Sequence, residues 1–456
     1  MISKNIPKNS RLFPPEIYHS GSLLYFVGVL LFLISGISSH ILSPLSYILS
    51  DSSLPQKENT DLPVLLLGMT LALLIPAMLW FGIIKQKAYL LICLFILLFT
   101  ASSLNATYDL VSIRSFGDSG WLAYFVDTQT PFSRWLAGTA TLGWAFSILK
   151  SLAIDIAALT FIKVCGALLI TVTTIYVIRK ANNRLALLIP LFCPIWLTFI
   201  SGYDEYYPFI APLFLIALLL IEHRPLNQQW LIYSAFASLL TLSYIAYAPI
   251  AFLVILALAL HSRKLALASI PIACFIYILG VYLFWPEGVM EYARALKHDL
   301  NLGEQNTIYP AYKEHSASAL SPWFSPQYAL SWEHFKHLAF MLFWGGGWII
   351  PLLLFGALIK YRAQFINKLP SALRSNPTLS ALAAWQTFYF VFMIPKLGPV
   401  QDIDLFFSVY LTLGILAGMW FDDLLRNHQK EAHLKYLLLC TISGCSIATS
   451  ANLLVI

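Results

Sequence analysis

Three short stretches of this chain place ionisable side chains beside glycine or tyrosine, a mixture suited to acid–base and phosphate chemistry. The stretch IRSFGDSGW, 113–121, carries Arg114 and Asp118, with Gly117 and Gly120 leaving room for a tight turn and the close approach of a ligand. SGYDEYYPF, from Ser201, sets Asp204 and Glu205 among Tyr203, Tyr206 and Tyr207. IPKLGPVQDIDLF, 394–406, carries Lys396, Asp402 and Asp404. A carboxylate can orient or deprotonate a hydroxyl, or stabilise positive charge that develops in a transition state. Arg114, Arg134 and Lys396 can meet a phosphate, and tyrosines offer stacking surfaces and hydroxyls suited to a sugar or a lipid headgroup. The same residues have plainer uses. Asp118 suits a turn or a helix cap, Asp402 or Asp404 suits a helix N-terminus, and Asp204 and Glu205 suit a solvated loop with interfacial tyrosines. Two positions apart, Asp402 and Asp404 do not share a helical face.

No resident cofactor is implied, and a divalent cation stays an open alternative. Asp118 with Asp204 or Asp402 would bind one through oxygen ligands only if folding brings them together. Of the histidines, His298, His315, His334 and His337 lie in or beside one long polar segment, without HExxH or a short zinc spacing. His334 and His337, three apart on a helix, read as packing residues. All six cysteines lie in apolar runs without CxxC spacing, against a disulfide framework or a thiolate metal site.

The elements that must position these residues follow from composition. The 456 residues are 59% hydrophobic and 11% charged, where a soluble domain carries roughly a quarter charged. Apolar runs near the ~20 residues that cross a bilayer recur from Leu23 to Leu454. The expected fold is therefore an all-α polytopic membrane protein: one transmembrane domain over 1–456 with about 13 crossings. The first apolar run reads as a span and not a cleaved signal peptide. With the N-terminus cytoplasmic, the cytoplasmic segments hold 18 of the 28 Lys and Arg; 9 fall outside and Lys163 lies within a span. The net charge of +6 thus needs no nucleic-acid partner.

Parity decides two ambiguous stretches. The run 135–149, WLAGTATLGWAFSIL, reads as an interfacial or re-entrant helix with its tryptophans at headgroup level, because counting it as a span inverts every later basic loop. The run 230–260 reads as two short crossings around Tyr247, Ala248 and Pro249, although one long helix competes. A span over 151–178 would set Asp155 and Lys163 on roughly one side, two turns apart. The outer face then receives an amphipathic loop with interfacial helices over 105–150, the short segments 201–207 and 396–403, and a long loop or lid over 285–334.

Taken together, FGDSGWL, GYDEYYP and KLGPVQDIDLF give the chain a resemblance to the GT-C superfamily of integral-membrane glycosyltransferases. It is more closely similar to bacterial members with a Gly-Asp pair in the first outer loop, a Gly-Tyr-x-Glu-x-Tyr segment and a late Asp-Trp-Asp-Leu-Phe segment. Glu205 fills the glutamate position and Tyr207 the later tyrosine, while Ile403 replaces the tryptophan and both aspartates remain. The resemblance implies a GT-C-like fold in a bacterial inner (plasma) membrane, with its site on the periplasmic or extracellular side. It implies a polyprenyl-phosphate-linked sugar as donor, a glycan, lipid or protein acceptor, and Asp118 as the first-loop catalytic acid. Glu205 and Asp402 are the further catalytic candidates; Arg114, Arg134, Tyr203, Asp204, Tyr207, Lys396 and Asp404 are the substrate-binding ones.

Two other functions fit much of the same pattern. A polysaccharide polymerase or lipid-linked oligosaccharide ligase shares the lipid donor and the outer site, but the 285–334 loop holds only Arg294 where an Arg-rich loop would favour it. A secondary transporter also uses many spans, yet no repeat is evident and the polar residues gather at one face instead of midway.

Overall fold

The computed structural model describes residues 119–154, 156–181, 189–193, 195, 196, 199, 203, 205–222, 230–302, 329–346, 377–393 and 404–426. These residues are predominantly helical, without a β-strand, in keeping with the all-α expectation. The first two helices, α1 (Ser119–Thr128) and α2 (Leu136–Ser151), pack on each other and are joined through a 3₁₀ turn, Ser133–Trp135. Lys150, in the last turn of α2, pairs with Asp127, in the last turn of α1, at 2.6 Å, both well exposed. The helix α2 stops where Leu152 donates its N–H to the carbonyls of Ile148 and Leu149 and Ala153 turns left-handed at φ 57°.

Helix α3 (Ala158–Ala181) therefore begins later than the expected span at 151. Asp155, and with it the expected placement of Asp155 and Lys163 on one side, lies outside the described residues. Helix α4 (Tyr207–Glu222) packs on α3.

The run 230–260 is split. Helix α5 (Trp230–Ser243) ends at Tyr244, whose extended backbone (φ −160°, ψ 113°) leads into a 3₁₀ turn, Ile245–Tyr247, and helix α6 (Ala248–His261). Pro249 sits in the first turn of α6, where its missing N–H costs no intrahelical bond. One long helix would have carried Pro249 in its interior, at a cost of ~3 kcal/mol. At the other end Ser262 reverses the chain and its hydroxyl accepts the Leu265 N–H, capping α7 (Arg263–Phe284). Helices α5, α6 and α7 pack mutually, and Gly280 of α7 lets Leu242 approach to where a Cβ would stand 2.4 Å from its Cδ1.

Among the described residues, α7 is the one helix long and apolar enough to cross a membrane. Its outward face is apolar too: Leu267, Phe275, Tyr282 and Leu283 are all largely exposed. Shorter apolar helices include Tyr207–Ile221, Trp230–Ser243 and Ile245–Leu260. Gly288, at φ 95°, turns the chain out of α7 into α8 (Val289–Leu302), so the long 285–334 segment opens with a helix instead of a plain loop. Helix α9 (Trp332–Gly346) and α10 (Pro377–Phe392) both pack on α11 (Phe407–Arg426), which a 3₁₀ turn over Asp404–Phe406 introduces.

Candidate functional site

Five chain reversals meet at one end of these helices: the turn Ser133–Trp135, the segment 203–207, the break at 244–247, the exit of α7 with the start of α8, and the entry to α11. What joins them is aromatic. Trp135, 2% exposed, stacks on Tyr206 at 5.0 Å between ring centroids and lies 6.4 Å from Tyr244. Tyr207 meets Tyr244 and Phe407, at 6.5 and 5.8 Å, and Phe199 meets both Tyr203 and Phe407. Such ring pairs hold their geometry because edges and faces carry opposite partial charge. Segments far apart in sequence thus share one floor.

Tyr206 fits this floor through a glycine. A Cβ at Gly138, in the first turn of α2, would lie 1.8 Å from the Tyr206 hydroxyl oxygen, so only glycine admits the ring there. That hydroxyl shares hydrogen bonds with the Ser243 side chain and the Gly138 backbone. Burial raises the phenol well above its ordinary pKa, the two hydrogen bonds offsetting part of the shift, and it stays neutral.

Arg134 lies on the same turn. Its guanidinium carbon sits 4.9 Å from the centroid of Phe132 and 5.9 Å from that of Trp135, an arrangement that attracts a cation to the ring faces. Its Nε and the indole Nε1 of Trp135 are both buried, and neither has a hydrogen-bond partner among the described residues. Two neighbouring unpaired donors, one on a cation, suit an oxygen-rich anion.

The turn itself is fixed. The Trp135 N–H donates to the Phe132 carbonyl, the Phe132 N–H to the Thr139 hydroxyl, and that hydroxyl to the Trp135 carbonyl. From outside, the Tyr292 hydroxyl of α8 donates to the Ser133 carbonyl at 3.2 Å.

Of the residues singled out from sequence, Tyr203, Glu205 and Tyr207 are all buried within or beside the floor, Glu205 at 4% exposure. Arg134 is half-buried on the turn that carries Trp135. Asp404 opens the 3₁₀ turn that delivers Phe407. Arg114, Asp118, Asp204, Lys396 and Asp402 lie outside the described residues. No group of three His, Cys, Asp or Glu among the described residues could hold a metal ion.

Two readings change. Trp135 is a core residue and not a headgroup anchor, whereas Trp144 of the same helix does face outward at 67% exposure. The solvated-loop account of 201–207 fails for Glu205, which is buried. Sequence reasoning passed over Gly138, Trp135, Tyr244 and Tyr292 as site residues; the visible signal was the small residue in WLAG and the Tyr-rich SYIAYAP. His334 and His337 are buried as packing residues, the Nε2–H of His334 donating to the Val391 carbonyl.

Among the described residues, the fold and site thus define a helical protein with an aromatic floor built from loops at one end. Comparison with protein-family models, with curated proteins and with solved structures gives no match in any of the three.

Proposed function

We propose that this chain is a polytopic membrane glycosyltransferase that moves a sugar from a polyprenyl-phosphate donor to an acceptor hydroxyl on the outer face of a bacterial inner membrane. The observation that carries the reading is the shared floor: the turn bearing Arg134, the loop bearing Glu205 and the segment entering α11 belong to one aromatic cluster. These are three of the segments that charge asymmetry assigns to the outer side. The exposed apolar faces of α7 and its neighbours suit lipid.

In this mechanism the donor enters laterally from the bilayer and its phosphate meets Arg134, with Arg114 and Lys396 as further cations. Asp118 takes the proton of the acceptor hydroxyl, whose oxygen forms a bond to the anomeric carbon. The bond from that carbon to the phosphate oxygen breaks, the phosphate leaving with the electron pair, and the configuration inverts. Glu205 and Asp402 stabilise the oxocarbenium-like transition state. Tyr203, Tyr207, Asp204 and Asp404 contact the sugar or the headgroup. A phosphate leaving group needs little protonation.

The test reconstitutes the wild type, Asp118→Asn and Glu205→Gln with radiolabelled polyprenyl-phosphate sugars and scores donor binding and product separately. Wild-type turnover, lost in both variants while binding persists, is the expected result. Absence of turnover across a donor and acceptor panel would sink the glycosyltransferase reading. A secondary transporter is favoured by one observation, the burial of Lys163 at 5% exposure in the apolar helix α3. In that case labelled donor would cross a proteoliposome membrane without being consumed.

A further inference from the structure

We propose that Tyr292, on the first helix of the long outer segment, is a positioning residue for Arg134. The proposal rests on the phosphate role given to Arg134 above. Tyr292 is 4% exposed, set edge-on to Trp285 at 5.7 Å between centroids. Its hydroxyl donates to the Ser133 carbonyl at 3.2 Å and lies 3.2 Å from the Tyr277 hydroxyl of α7. A phenol has one hydrogen. Since that of Tyr292 goes to a carbonyl, which can only accept, the Tyr277 hydroxyl is the donor between the two, and the chain runs Tyr277 to Tyr292 to Ser133. Burial raises the Tyr292 phenol far above its ordinary range, so it remains a donor at every physiological pH.

The bond acts at an informative place. The Ser133 carbonyl and the Arg134 N–H belong to one planar peptide group. Holding that oxygen restrains the plane from which the Arg134 Cα departs, and so the point at which its side chain leaves the turn. The hydrogen bonds within the turn secure Phe132, Trp135 and Thr139, so the bond from Tyr292 supplies a restraint on this peptide from another helix. The restraint reaches across 159 positions of sequence. It joins α8 to the turn that carries Arg134.

Tyr292→Phe keeps the buried ring and removes the bond. In full-length protein in lipid nanodiscs, binding of decaprenyl phosphate is compared with binding of the uncharged prenol of equal chain length. The variant is expected to bind the phosphate about fivefold more weakly, the worth of one ordinary hydrogen bond, with prenol binding unchanged and the melting midpoint lowered by no more than the few degrees that one lost hydrogen bond costs. On an Arg134→Gln background, Tyr292→Phe is expected to cause no further loss, because the residue acts through the arginine. Full phosphate affinity in Tyr292→Phe, an equal loss for prenol, or a loss that adds in full to that of Arg134→Gln overturns the assignment.

Should Tyr292→Phe fail to fold, Tyr277→Phe serves instead. It leaves the Tyr292 bond to Ser133 but removes the hydroxyl behind it, and must show the same phosphate-selective loss in smaller measure; no loss overturns the assignment. Wild-type protein that binds prenol but not prenyl phosphate would remove the phosphate role of Arg134 and the positioning role together. Wild-type phosphate binding with an indifferent Tyr292→Phe removes the positioning role alone.

Discussion

Replacing Gly138 by alanine sets two effects of opposite sign against each other. Alanine in place of glycine inside a helix is worth up to about 1 kcal/mol in its favour by propensity alone. Against it stands Tyr206, whose hydroxyl oxygen, Cε2 and Cζ would lie 1.8, 2.0 and 2.2 Å from the new Cβ. To reach even 3.0 Å from that carbon the hydroxyl oxygen must move at least 1.2 Å. It cannot do so freely, because the ring is 1% exposed, stacked on Trp135 and hydrogen-bonded to Ser243. Overpacking of this kind costs about 1–3 kcal/mol, and the strained hydroxyl contacts add about 0.5–1.5 kcal/mol. The net expectation is a loss of about 1–3 kcal/mol, read as unfolding of the purified protein in a fixed detergent. A Tyr206→Phe background should not rescue it, since Cε2 and Cζ remain. In a Tyr206→Ala background the clashing atoms are gone, and Gly138→Ala should be neutral or mildly stabilising. A Gly138→Ala variant as stable as the wild type, or an equal loss in both backgrounds, would refute the account of how the floor is assembled.

Two further predictions concern pH and topology. Burial holds the His334 imidazole below its ordinary 6.5, its bond to Val391 offsetting part of that shift. The neutral form is therefore the folded one, and the unfolded chain binds the extra proton. Stability from this site is complete above about pH 6.5 and is lost as pH falls toward and through the folded value. Wild type should accordingly lose more melting stability between pH 7.5 and 5.0 than His334→Gln, which keeps a donor for Val391 but does not titrate; parallel profiles would contradict this. In a cysteine-free background, Ser262→Cys and Gln129→Cys should react with a membrane-impermeant thiol reagent from opposite sides, Ser262→Cys from the cytoplasm. Labelling of both from one side would overturn the two short crossings of 230–260.

By itself the sequence determined the helical class of the described residues and the places of several of their helices, among them Tyr207–Glu222, Trp230–Ser243, Ala248–His261 and Arg263–Phe284, because apolar runs of this length favour a helix over a strand. It also determined the break near Pro249, since a ring without an N–H is tolerated in a first turn and not mid-helix. It marked Glu205, Tyr203 and Tyr207 as candidates by residue type. The tertiary structure decided which of these are buried and what they meet. That Trp135 faces the core while Trp144 faces outward depends on which neighbours cover each side of α2, a fact absent from a nearly uniform apolar run. The start of α3 at Ala158 instead of 151 turns on the left-handed Ala153, a conformation no residue type announced there. Above all, the stack of Trp135 on Tyr206 and the bond from Tyr292 to Ser133 join residues 71 and 159 positions apart. Local propensity carries no information about such pairs; they exist because the helices between them bring their ends to one place.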